Sequence, residues 1–198
     1  MIADQDLCFR RRAILLLVLL LLVLLLSAQR GLAIADSGPI GEYQVKVAFL
    51  ANFAYFVEFP PSAFESPTSP LIIGIVGEDP FGDGIDHLIE HKIVYGHPVQ
   101  VRRFSDVKSL GKAHLLFVAG SDRQAAAKVL DAVRRTPVMT VGESEGFALA
   151  GGVCNFTRDG ARVVFEINVN AANRAGLTLS SRLLALARIV HEEGEASR

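Results

Sequence analysis

Three short runs of the 198-residue chain, Leu71–Val76, Leu115–Val118 and residues 138–141, contain no charged side chain. Continuous apolar runs of this length suit strands of a parallel sheet covered on both faces; a strand with one wet face alternates instead. Helical patterning falls between them. Residues 122–134 read as a helix with Ser121 or Asp122 as N-cap and Arg134-Arg135 at the C-terminal end, where the dipole favours cations. Residues 81–90 read as a shorter helix after the turn Gly77-Glu78-Asp79-Pro80. Ile93–Val94 and residues 99–104 flank a turn at Tyr95-Gly96-His97-Pro98. Residues 153–157 and 162–169 flank Arg158-Asp159-Gly160, a hairpin signal. A last helix is expected from Ser180 or Ser181, with Leu179, Leu183, Leu186 and Val190 at helical intervals. The expected fold class is α/β. It comprises a single domain with a mainly parallel twisted sheet of about six strands, a C-terminal antiparallel hairpin and helices on both faces.

Residues 42–59 read as the first helix, stopped by Pro60-Pro61. One stripe runs Val45, Phe49, Asn52/Phe53, Phe56 and a second Tyr43, Val47, Leu50, Ala54, Val57, which leaves almost no polar face. Such a helix must be covered on more than one side. Phe49, Phe53, Tyr55 and Phe56 are therefore expected to serve self-association or partner capture, with burial inside the chain as the alternative. A Pro/Ser-rich loop follows over residues 60–70.

Upstream, Arg10-Arg11-Arg12 gives way to residues 13–26, a wholly apolar run, and then to a small-residue exit at Ala33-Ile34-Ala35. A basic head, a short apolar run and an A-x-A tail form a secretory signal. Fourteen helical residues span about 21 Å against about 30 Å of hydrocarbon, so a membrane anchor is the weaker reading. Residues 1–35 are expected to be a cleaved signal peptide, and residues 36–198 the mature domain in the periplasm. Removing Arg10, Arg11, Arg12 and Arg30 with Asp4 and Asp6 leaves 16 basic against 19 acidic residues. Nucleic acid is not an expected partner, because that binding rests on clustered cations. Cys154 is then the one mature thiol, on the same strand face as Phe156 and expected to be a buried hydrophobe.

No residue set carries a reaction. Gly82-x-Gly84 sits after a strand, but it lacks the phosphate-loop Lys, and Glu78, Asp79, Asp83 and Asp86 would repel an anion. His87-x-x-Glu90-His91 has the i, i+4 spacing of a zinc pair without an evident third ligand, so no metal is expected. Ser144 lies in Gly142-Glu143-Ser144-Glu145-Gly146, outside any nucleophile-elbow spacing, and Glu143 and Glu145 read as water-covered turn residues. Glu166 interrupts an apolar strand; Arg162, Arg174 or Arg182 would neutralise it as a structural ion pair. If instead the chain is a small-ligand sensor or receptor, Asn52, Glu166 and Arg174 would line its pocket.

The run Val45-Lys46-Val47-Ala48-Phe49-Leu50-Ala51-Asn52-Phe53, followed by Phe56-Val57-Glu58-Phe59-Pro60, resembles the opening of the YfiR/HmsC family of small exported proteins. Ile73-Gly74-Ile75-Val76-Gly77-Glu78-Asp79-Pro80, Gly151-Gly152-Val153, Val164-Phe165-Glu166-Ile167-Asn168 and Gly176-Leu177-Thr178-Leu179-Ser180-Ser181-Arg182 resemble its later blocks. The resemblance implies a non-enzymatic, cofactor-free periplasmic regulator, often a homodimer. It would repress an inner-membrane diguanylate cyclase by binding its periplasmic sensor domain, and an OmpA-like outer-membrane lipoprotein would relieve the repression. Two departures stand out. Phe59 replaces the usual Trp, and the single cysteine expected in the mature chain allows no intrachain disulfide.

Overall fold

The computed structural model describes residues 39–192; the expected signal peptide lies outside them. In chain order the elements are α1 Pro39–Phe53, β1 Val57–Glu58, β2 Leu71–Val76, α2 Asp83–Ile89, β3 Ile93–Val94, β4 His97–Phe104, β5 Leu115–Val118 and α3 Arg123–Val133. Then follow β6 Met139–Gly142, β7 Cys154–Asp159, β8 Arg162–Asn168, α4 Val169–Arg174, β9 Thr178–Leu179, α5 Ser181–Leu184 and β10 Arg188–Val190.

The main sheet has eight strands in the order β10-β8-β7-β6-β5-β2-β4-β3. Every neighbouring pair from β4 through β7 is parallel, as is β8 with β10, while β3–β4 and β7–β8 are antiparallel. The fold is the expected mostly parallel α/β sheet, with two strands more than the sequence suggested. Alternate side chains of β2 face two separate cores. Leu71, Ile73 and Ile75 pack with Val47, Leu50 and Phe53 of α1 and Ile85 and Ile89 of α2. Ile72 and Val76 pack with Ala126, Val129 and Leu130 of α3. Covering both faces is what the uninterrupted apolar runs require. Phe147 closes the second core, and a Cβ at Gly142 or Gly152 would overlap its ring, which accounts for those glycines.

Two expected helices differ. The first ends at Phe53, not at the Pro60-Pro61 stop. Ala54–Phe56 form a 3-10 turn, and Val57 and Glu58 pair as β1 with Leu179 and Thr178 of β9. An apolar stretch satisfies its burial equally as helix or strand, and β9 supplies the backbone partners that decide between them. The last helix is only the single turn Ser181–Leu184, capped by the Ser180 hydroxyl accepting from the Leu183 N–H. Leu183 is buried but Leu186 is 71% exposed, so their apparent stripe is not one helix face. The chain instead adds Arg188, Ile189 and Val190 beside Glu166, Ile167 and Asn168 as an edge strand. Helix α4 has no counterpart in the expected elements. The buried Asn168 ends β8, accepts from the Ala171 N–H and donates to the Ala148 carbonyl, so one side chain starts the turn and ties it down.

The Pro/Ser-rich loop is anchored by an aromatic sandwich. The Phe64 ring stacks on His97 at 3.7 Å and on His114 at 4.4 Å. His114 accepts the Ile72 N–H at Nδ1 and donates from Nε2 to the Ala63 carbonyl, which fixes the neutral imidazole. Burial pushes its pKa down to about 4, with Lys112 and His97 adding to the effect. The unfolded chain protonates this ring near the ordinary histidine value, so between there and about 4 it binds more protons than the folded chain does. Stability therefore falls as pH drops through that window, by at most about 3 kcal/mol. Urea denaturation at pH 7.5 and pH 4.5 is expected to show this slope. In His114→Asn, which keeps an acceptor toward Ile72 without a titrating ring, the slope should flatten.

Candidate functional site

Strands β4-β2-β5-β6-β7 run in the 2-1-3-4-5 order of doubly wound sheets, so the topological switch lies between β2 and β5. Ligands of such sheets bind outside the carboxyl ends at that point. Here the chain's own side chains occupy the neighbourhood. Glu143, directly after β6, accepts the Gly120 N–H beyond β5 at 2.8 Å and pairs through its other oxygen with Lys46 Nζ at 2.8 Å. Glu42, one turn earlier on α1, meets the same ammonium at 2.6 Å. Tyr43 donates its hydroxyl to Glu143 and lies under Lys46, 4.6 Å from ring centre to Nζ. Lys46 is only 5% exposed. Burial alone would lower its pKa, but the hydrogen-bonded carboxylates of Glu143 and Glu42 outweigh that and hold it above the ordinary lysine value. Glu143 is therefore no water-covered turn residue, and Ser144 beside it is also buried. The partner that draws Glu143 inward lies 97 positions away, beyond the reach of local pattern. The signals available were a lysine inside an apolar helix and its i, i+4 glutamate.

The expected interface rings separate into two groups. Phe53 is 1% exposed and lies among Phe49, Phe156 and Phe165, so it belongs to the core rather than to a docking face. Its position on the inner stripe of α1, facing β7 and β8, is the reason. Phe49 and Phe56 are partly buried against the same core. Tyr55 is exposed. Other exposed apolar side chains that the sequence did not single out stand on a hairpin hydrogen-bonded to its backbone. Tyr95 and Ile93, each 63% exposed, stand on the β3–β4 hairpin, and the Tyr95 hydroxyl donates to the Tyr55 carbonyl at 2.8 Å. Lys92 reaches over the Tyr55 ring. Tyr95 adjoins a cleft of about 630 Å³ walled by Phe59, Phe64, Pro61 and Pro67, with Glu58 and Glu65 among its polar lining. Tyr95 has φ 52 in the two-residue turn with Gly96, a region that bulky residues avoid. A large ring held there at a cost of about 1–2 kcal/mol points to a use for its position.

The remaining expected polar residues do not converge. Asn52 is exposed and its amide donates to the Ala48 carbonyl one turn back. Glu166 faces Arg188 at 3.9 Å, not Arg162, Arg174 or Arg182, because β10 places Arg188 opposite it. Arg162 pairs with Asp159 and Arg174 with Glu192, while Arg182 is exposed on α5. Helix α2 ends at Ile89 and His91 adopts φ 59, so His87 and His91 are not one helical turn apart on a shared face. No group of three potential ligands able to hold a metal ion occurs among the described residues. Cys154 is fully buried, and burial raises its thiol pKa well above the ordinary value, which removes thiolate chemistry.

A model of the YfiR/HmsC-like family (DUF4154) matches residues 43–188, from α1 through the first residue of β10. The chain belongs to the YfiR/HmsC-like family. Its matched span contains the Lys46–Glu143 closure and the Tyr55–Tyr95 surface alike. No curated protein matches the chain. Among solved structures it is similar to the ABC domain in complex with L-Trp from Streptococcus pneumonia, at 12% identity and a TM-score of 0.48. That similarity covers 75% of this chain and 60% of the other. No helix among the described residues is long and apolar enough to cross a membrane.

Proposed function

We propose that this YfiR/HmsC-like chain is a periplasmic repressor that docks on the periplasmic sensor domain of an inner-membrane diguanylate cyclase and lowers cyclic di-GMP synthesis. An OmpA-like outer-membrane lipoprotein relieves it by competing for the chain, which works as a homodimer. The observation that carries this reading is the exposed surface of Tyr55, Ile93 and Tyr95 beside the Phe59/Phe64 cleft. Exposed aromatic anchors next to an apolar pocket are how protein interfaces concentrate binding energy. Family membership supports protein–protein regulation. The repressor needs only to prefer one conformation of the cyclase by about 1–3 kcal/mol.

Cyclic di-GMP in a deletion strain tests it. Complementation with the wild-type chain should lower the messenger, and complementation with Tyr95→Asn should not. Asn tolerates the left-handed turn better than Tyr, so this variant should be at least as stable by thermal melting. Unchanged messenger on deletion would remove the cyclase from the account.

A further inference from the structure

The cleft of about 630 Å³ beside Tyr95 is mostly apolar, and its few polar groups are all acceptors. His97, only 9% exposed, forms part of its wall. Its Nδ1 lies 2.7 Å from the Ser69 carbonyl, which can only accept, so Nδ1 is the donor and Nε2 carries the lone pair in the neutral ring. Nε2 has no hydrogen-bond partner among the described residues. Thr157 Oγ1 is the one unpaired side-chain polar atom there that is sealed from solvent, so Nε2 must reach accessible space, and the cleft is the space that His97 lines. Two carboxylates complete the set. Glu65 is balanced by Lys112 at 3.4 Å. Glu58, exposed on β1, has no cation within ion-pair distance among the described residues. Lys92, on the same surface, lies over the Tyr55 ring instead. With Lys112 counted and His97 neutral, the lining keeps one unbalanced negative charge, at Glu58.

We propose that this cleft takes an arginine side chain of the protein partner, its guanidinium donating to Glu58 and to His97 Nε2 against the rings of Tyr95 and Phe59. The proposal rests on the docking reading above and names the chemistry of the residue that enters. A guanidinium supplies the missing positive charge and five donors in a fixed planar fork, which serves more than one acceptor. It is weakly hydrated and stacks on aromatic faces, so an aromatic and proline-walled cleft suits it. A lysine ammonium is a strongly hydrated point charge and loses more water on entry. An apolar side chain would leave the His97 acceptor unpaired, and an anion would meet Glu58.

Titration of N-acetyl-L-arginine amide into the nitrogen-15-labelled mature chain at pH 7.5, followed by NMR, tests this. The near-isosteric but uncharged N-acetyl-L-citrulline amide is the control. The arginine derivative alone should shift the His97 Nε2 and Tyr95 amide resonances saturably. Glu58→Gln, at an exposed position that leaves the core intact, should weaken that binding ~10-fold or more. The same substitution should weaken docking on the cyclase sensor domain by a similar factor. No saturable shift, equal affinity for the citrulline derivative, or undiminished affinity in the Glu58→Gln chain would overturn the proposal. Should the sensor domain bind wild type and Glu58→Gln equally, the proposal falls while docking stands. Should that domain bind neither chain while the arginine derivative still binds, the cyclase is lost as partner and the arginine site stands.

Discussion

A chain carrying Phe53→Asp is expected not to fold. Phe53 sits at 1% exposure with the rings of Phe165 and Phe156 at 5.3 and 5.8 Å and that of Phe49 at 6.0 Å. Removing the ring alone costs about 3–5 kcal/mol, the range for Phe→Ala in a core. Placing a carboxylate there adds the cost of an unpaired polar group in an apolar site, several kcal/mol more. Together these rival the whole stability of an ordinary domain, about 5–15 kcal/mol. Tyr55→Asp, two residues on, should cost far less, since that side chain is 39% exposed. Far-UV circular dichroism and urea titration of the two chains measure the contrast. A folded Phe53→Asp chain would show that α1 does not seal the core as described.

Glu143→Ala is expected to destabilise the chain by about 3 kcal/mol, at the low end for breaking a buried ion pair because Glu42 still holds Lys46 at 2.6 Å. The substitution strands part of a buried ammonium and leaves the Gly120 N–H without its acceptor. Replacing both partners, Lys46→Met with Glu143→Leu, should recover the part owed to the stranded ammonium but not the part owed to the unpaired Gly120 N–H. Urea titration of the two single variants and the double variant gives the coupling directly. If Glu143→Ala costs under about 1 kcal/mol, the pair is solvated and the carboxyl edge of the sheet is open.

The elements visible in the sequence are those whose signals are local. Leu71–Val76 and Leu115–Val118 match the observed strands residue for residue, because continuous burial on two faces leaves an uninterrupted apolar run. Asp122 caps α3 by accepting from the Gln124 and Ala125 N–H groups, a bond its spacing announces. The expected hairpin between β7 and β8 is present for the same reason, with its turn at Gly160 and Ala161 because Arg158 and Asp159 still pair as strand with Val163 and Arg162. What escaped was decided at long range. Residues 54–58 are apolar enough for helix or strand, and the choice rests on β9, more than a hundred positions away. Arg188–Val190 becomes a strand only because β8 offers a free edge. Of the surface residues, Tyr55 was named only together with Phe49, Phe53 and Phe56, while Tyr95 was hidden in a turn, where bulky residues are rare and no periodicity marks them. Phe53 and Tyr55 stand two positions apart in the same apolar stretch; the helix ends at Phe53, which is buried, and Tyr55 in the following 3-10 turn is exposed.

The most direct test of the docking account is calorimetric titration of the mature chain into the purified periplasmic sensor domain of the cyclase. Saturable binding is expected for the wild type, weakened roughly 30-fold (about 2 kcal/mol) by Tyr95→Asn. No binding by the wild type, or equal affinity in the Tyr95→Asn chain, would contradict it.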